Sequence, residues 1–136
     1  MPHTYLNPLH LFNSTQYGFS QVVATRGGTT VYMSGQVGWD ENEAIGAPGD
    51  LAEQTRRALL NLERAVQAAG GTRDDVVSLR IYIVGEHIHN AAGVKEGLLA
   101  FFNPRRLPAS TWVGVSALAS PDFLIEIEAI AVIGAG

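Results

Sequence analysis

Apolar and polar residues alternate with a period of two along VVSLRIYIV, residues 76–84. Leu79, Ile81 and Ile83 fall on one face and Arg80 and Tyr82 on the other, which predicts a strand with one covered side. The same alternation runs through FLIEIEAIAVI, residues 123–133. There Ile125, Ile127, Ala129 and Ala131 share one side, while Leu124, Glu126, Glu128 and Ile130 share the other. Upstream, SQVVATRGGTTVYMSGQVGW (residues 20–39) gives two β-rich runs about Gly27-Gly28, predicting a hairpin because glycine adopts positive φ at little cost. A further strand is expected over LPASTWVGV, residues 107–115, where Ser110, Trp112 and Gly114 share a face.

Two segments change to the helical period. In GDLAEQTRRALLNLERAVQAAGG, residues 49–71, an apolar stripe forms from Leu51, Thr55, Ala58, Leu59, Leu62, Val66 and Ala69. Asp50 is placed to cap this helix, Glu53 has the spacing of a capping box, and Gly70-Gly71 stop it. Arg56, Arg57, Glu63 and Arg64 are expected to face water. A second helix is predicted over roughly Asn90–Phe102, ending at the helix-stopping NPRRLP. The first 18 residues, with Pro2, Asn7, Pro8, Asn13 and Ser14, are expected to be irregular. The resulting order ββ, α, β, α, ββ implies an α+β fold with two helices on one face of a mixed sheet.

The other sheet face raises a question of its own. It would leave Tyr82, Leu124, Ile130 and Val132 exposed beside two carboxylates, a mixture that marks an interface. An oligomer whose sheets meet on these faces is therefore expected, with the acids at wet clefts between subunits.

At 136 residues, with neither linker nor repeat, residues 1–136 are expected to form one domain. A net charge of −4 removes the basic footprint by which proteins bind phosphate backbones, so no nucleic acid is expected as partner. No apolar run approaches the roughly 20 residues of a membrane span, and the N-terminus carries no targeting signal, so no membrane is expected. The absence of cysteine excludes disulfides and thiolate chemistry and suits a cytoplasmic protein. His87 and His89 form an H-x-H pair in a strand-to-helix turn without a third ligand nearby. Neither metal nor cofactor is expected.

SGQV, QTRRALLNLERAVQAAGGTRDDVVSLRIYIV, FFNPRRLPAS and, near the C-terminus, IEIEAIAV, in this order and spacing, resemble the Rid family (reactive intermediate deaminases, also called YjgF or L-PSP proteins) over about residues 19–133. The resemblance implies a chorismate-mutase-like fold and a homotrimer whose sheets form a central barrel, with active sites in clefts between neighbours. It also implies hydrolysis of small enamines and imines to a 2-keto acid and ammonia. That chemistry needs a cation for the substrate carboxylate, a positioned water, and a carboxylate to move its proton.

Against the family pattern, the acid is kept as Glu126, and Ser34 and Gly35 keep the SGQ turn, whose backbone N–H is a candidate anion donor. The arginine that follows Pro-Ala is replaced by Ser110, and a neutral hydroxyl cannot make the bidentate ion pair to a carboxylate. The small residue two places on becomes Trp112. The family tyrosine corresponds to Phe19, and a polar asparagine corresponds to Lys95. Glu126 and Ser110 are thus the candidate catalytic residues, with Phe19, Ser34, Gly35, Arg80, Lys95, Thr111 and Trp112 as candidate binding residues. Arg80 is placed to return a cation to the cleft. The bland alternative for the acids is cross-strand pairing with Arg80 or Lys95 at the subunit interface.

Two classes of function follow. One is an enzyme acting on a small molecule in intersubunit clefts, by hydrolysing or tautomerising an imine or enamine not held by the usual arginine. The other is a non-catalytic trimer that binds a metabolite or a protein. A tautomerase using Pro2 as an N-terminal base is a third idea with little supporting context. The acidic balance and missing arginine oppose ribonuclease activity.

Overall fold

The last strand, Ile125–Ala135, decides the layout, because its two faces demand different surroundings. The computed structural model describes residues 3–136. In chain order its strands and helices are β1 (His3–Leu6), β2 (Val22–Thr25), β3 (Gly27–Gln36), α1 (Leu51–Ala68), β4 (Val76–Val84), α2 (Ala92–Phe101), β5 (Ala109–Val115) and β6 (Ile125–Ala135). The main sheet has the order β3-β6-β4-β5, with β6 antiparallel to both neighbours and β4 parallel to β5. This is the mixed sheet of the expected α+β fold.

Ile125, Ile127, Ala129 and Ala131 of β6 are buried, as are Leu79, Ile81 and Ile83 of β4. Leu59, Leu62 and Val66 of α1 and Val94 and Leu98 of α2 join them in one core, so both helices cover this face. Each buried Leu, Ile or Val side chain here contributes about 2 kcal/mol through the area it removes from water. The helices meet closely at Gly93, where an added Cβ would stand 2.7 Å from the Ala52 Cβ. Among the described residues, no helix is long and apolar enough to cross a membrane.

Asp50 caps α1, its side chain accepting from the Glu53 N–H at 3.1 Å. Only this half of the capping box forms. The Glu53 carboxylate turns instead to Arg56 at 2.7 Å and Arg57 at 3.0 Å, and the Arg56 hydrogen bonds hold its pKa down to about 2. The second helix begins at Ala92 because Gly85–Asn90 is spent on a 3-10 turn, on which His87 and His89 are exposed.

Four expectations are corrected. The hairpin about Gly27-Gly28 does not form: β2 pairs with β1 and β3 pairs with β6. With φ of 64° and 73°, the two glycines bend the chain from one sheet into the other, a backbone that residues with a Cβ resist. The first 18 residues are not all irregular, since His3–Leu6 is a strand and Ser14–Tyr17 a 3-10 turn. Val132, expected to be exposed, is buried. Ala69 lies outside the α1 stripe and is exposed. Pro2 lies outside the described residues.

Candidate functional site

The open face of the sheet collects the chemistry. Register sets Arg80 opposite Glu128 and Tyr82 opposite Glu126, and paired residues project to the same side. Tyr32 of β3, opposite Ile130, is 78% exposed. The Tyr82 hydroxyl donates to Glu128 Oε1 at 2.5 Å. This bond, followed by partial burial and the carboxylate charge, pushes the Tyr82 pKa above its usual value, while Arg80 opposes the shift. The expected Arg80–Glu128 ion pair is absent among the described residues. Glu128 has been taken by the phenol.

Glu126 sits at the irregular end of β3, where the register shifts between Met33 and Gln36. Its carboxylate occupies the space a Cβ would need on Gly35, so glycine is what lets acid and backbone come together here. Ser34, next to it, is exposed. The turn is held from behind by α1, because Asn61 Nδ2 donates to the carbonyls of Val37 and Trp39, both at 2.8 Å. Gln54, fully buried, does the same for the entry to β6. Its Nε2 donates to the Ala47 and Asp122 carbonyls at 3.0 and 3.1 Å, and its Oε1 accepts from Leu124 N–H at 2.9 Å. Sequence reasoning missed Gln54 and Asn61, since a polar residue beside an apolar helix stripe looks like a solvated one.

β5 splits the expected site. Its parallel register pairs Ser110 with Leu79 and Trp112 with Ile81, so both side chains point to the helix side of the sheet. Trp112 packs against the core and lies 6.5 Å from the Phe19 ring. Ser110 Oγ and Trp112 Nε1 are enclosed without a hydrogen-bond partner. Thr111, paired with Arg80, and Val113, paired with Tyr82, are on the acids' side of β5, and both are exposed. Lys95 is on α2, so within one chain the sheet separates it from Glu126 and Glu128. One chain therefore brings together Glu126, Gly35, Ser34, Arg80 and Thr111 with Tyr82 and Glu128. It leaves Ser110, Trp112 and Phe19 as a separate cluster behind the β5 edge.

Comparison with known proteins agrees with this architecture. The family described as endoribonuclease L-PSP matches residues 13–133, a span that leaves β1 outside it. The solved structure of YyfB from Yersinia pestis, a protein of unknown function of the conserved Rid family, is 38% identical with a TM-score of 0.92. That match covers 98% of this chain and all of the other. YjgF from E. coli is 32% identical with a TM-score of 0.67, over 81% of this chain and 84% of its own. A 2-iminobutanoate/2-iminopropanoate deaminase from Rattus norvegicus is 37% identical over 105 residues, 77% of this chain and 74% of that protein. With the matched span, the shared fold and these identities together, the chain belongs to the Rid (YjgF, L-PSP) family.

Proposed function

We propose that this protein is a cytoplasmic homotrimer that hydrolyses small imines or enamines in clefts between its subunits, on substrates not held by the family's usual arginine. The observation that carries the reading is Glu126, fixed against Gly35 on a sheet face that also bears Arg80. A second copy laid on this face would cover the exposed Tyr32 and the half-buried Ile130 and exclude bulk water, which strengthens every charge interaction inside.

In such a cleft Glu126 accepts a proton from a water as its oxygen adds to the imine carbon, and the C=N electron pair moves to nitrogen. The same carboxyl then returns the proton to the nitrogen. It next takes the hydroxyl proton of the resulting carbinolamine and passes it to the amino nitrogen, so that ammonia leaves as the C–N bond breaks and the carbonyl forms. Ser34 and Gly35, at the irregular end of β3, bring backbone against this acid, and Arg80 is the cation on its side of the sheet. Thr111 lines the same side. Tautomerisation uses the same acid without the added water.

The test is ammonia release from imines generated in place by an amino acid oxidase. Wild-type protein accelerates release over buffer and Glu126→Gln does not; no acceleration with any imine, carboxylated or neutral, rejects the proposal. A second reading, a non-catalytic trimer that binds a metabolite or a protein, is favoured by the enclosure of Ser110 and Trp112, which occupies the strand face where the resemblance places the arginine. Binding without turnover selects it.

A further inference from the structure

Between the outer sides of α1 and α2 lies a cavity of about 500 Å³, within the size range of small-molecule pockets. Ala52, Arg56, Glu96 and Ala100 on its rim are exposed. The helices cover the sheet face opposite the one assigned to a second copy, so the mouth stays open in the proposed assembly. Leu59, Leu60 and Phe101 supply apolar walls. Both lining cations already have partners. Arg56 is held by Glu53 through two bonds of 2.7 Å. Arg73 donates to Glu63 and to the Phe101 carbonyl, each at 2.7 Å, and lies 4.0 Å over the Phe101 ring. Among the lining acids, Glu53 is spent on Arg56 and Arg57, and Asp50 caps α1. Glu96 has no ion pair among the described residues. The charge left unanswered in the cavity is therefore negative.

We infer that this cavity binds an organic monocation of the arylalkylamine class, its ammonium at Glu96 and its ring against Leu60 and Phe101. The apolar body carries most of the affinity, because it and the walls leave water together. The ammonium adds less, since Glu96 is exposed and its field is screened by solvent. Charge decides the class: a carboxylate of the same shape meets Glu96 and Asp50 as like charges, and the two arginines are already neutralised. Size agrees, for at about 30 Å³ of liquid volume per water-sized group the space admits roughly sixteen non-hydrogen atoms, enough for a fused ring with a short amine chain.

The experiment is calorimetric or NMR titration of the full chain, as it assembles in solution, with three probes. Tryptamine carries ring and ammonium, indole-3-propanoate replaces the ammonium by a carboxylate, and ethylamine lacks the ring. Saturable binding of tryptamine is expected, with indole-3-propanoate about fivefold weaker or more and ethylamine at least about tenfold weaker. Glu96→Gln should weaken tryptamine about threefold. Ala100→Phe, which fills the cavity from an exposed position on α2, should abolish its binding. The comparison of three ligands on unaltered protein does not depend on any variant folding. No saturable tryptamine binding, equal affinity for indole-3-propanoate or ethylamine, or unchanged tryptamine affinity in either variant overturns the inference. Imine hydrolysis stands or falls separately, because neither substituted residue is on the acid-bearing face.

Discussion

Tyr82 donates its hydroxyl hydrogen to Glu128 at 2.5 Å, although the strand register sets Tyr82 opposite Glu126 and Glu128 opposite Arg80. The phenol reaches diagonally and separates the two acids into different roles. Glu128 is tethered, and Glu126 is left to the Gly35 turn.

Replacing Tyr82 with phenylalanine should release Glu128 to pair with Arg80 and lower stability by about 1 kcal/mol through loss of a hydrogen bond to a charged group. The Tyr82 pKa is raised, so its contribution is fully present below the unfolded tyrosine value near 10 and is lost as pH rises through the folded value. Ultraviolet titration of the wild type should show tyrosine ionising later than free phenol, and Tyr82→Phe should lose part of that late component. An unchanged late component would show that the bond is not maintained in solution.

Gly35→Ala should leave the fold nearly intact and damage the site. The added methyl would overlap the Glu126 side chain from its carboxylate back to Cγ, so the side chain must rotate away as a whole while the strands around it stay in place. Thermal denaturation is expected to shift by less than about 1 kcal/mol in equivalent stability, while ammonia release from imines falls at least tenfold because the acid is displaced. Equal loss of stability and activity would contradict the assignment of Glu126.

Gln54→Leu should be costly despite its similar size. It leaves the Asp122 carbonyl and the Leu124 N–H without their partner and takes one of two donors from the Ala47 carbonyl, which keeps the Asp50 N–H, an expected loss of about 3 kcal/mol, measured by chemical denaturation. A change below about 1 kcal/mol would show that these groups find other partners.

Ser110→Arg alone should not produce iminopropanoate hydrolysis. Ser110 Oγ is enclosed beside Leu79 and Trp112 packs against the core on the same side, so a guanidinium has no room and overpacking costs about 2 kcal/mol. Adding Trp112→Cys opens that space, and the double variant should gain ammonia release that neither single variant shows. Gain of activity by Ser110→Arg alone would mean that the indole is not the obstacle.

Local pattern was enough for the helices and for β4 and β6, because their burial alternates with the period of the backbone itself. Asp50 and the stripe through Leu59, Leu62 and Val66 fix α1, and the isoleucines of β6 fix which face its glutamates take. The partner of β2 was not legible: Gly27-Gly28 suit both a tight hairpin and a bend, and the choice rests on β1, some twenty residues earlier. For the site, alternation placed Glu126 and Arg80 correctly. It failed to say which way Ser110 and Trp112 point, since both faces of ASTWVGV mix small, polar and apolar residues. Nor does register alone disclose that Tyr82 outcompetes Arg80 for Glu128, because that depends on side-chain reach.

Everything proposed for the acid-bearing face requires another copy of the chain to cover it. Sedimentation equilibrium at micromolar concentration tests this most directly. The account predicts one species of three times the 14.5 kDa chain mass, and a stable species of single-chain mass would contradict it.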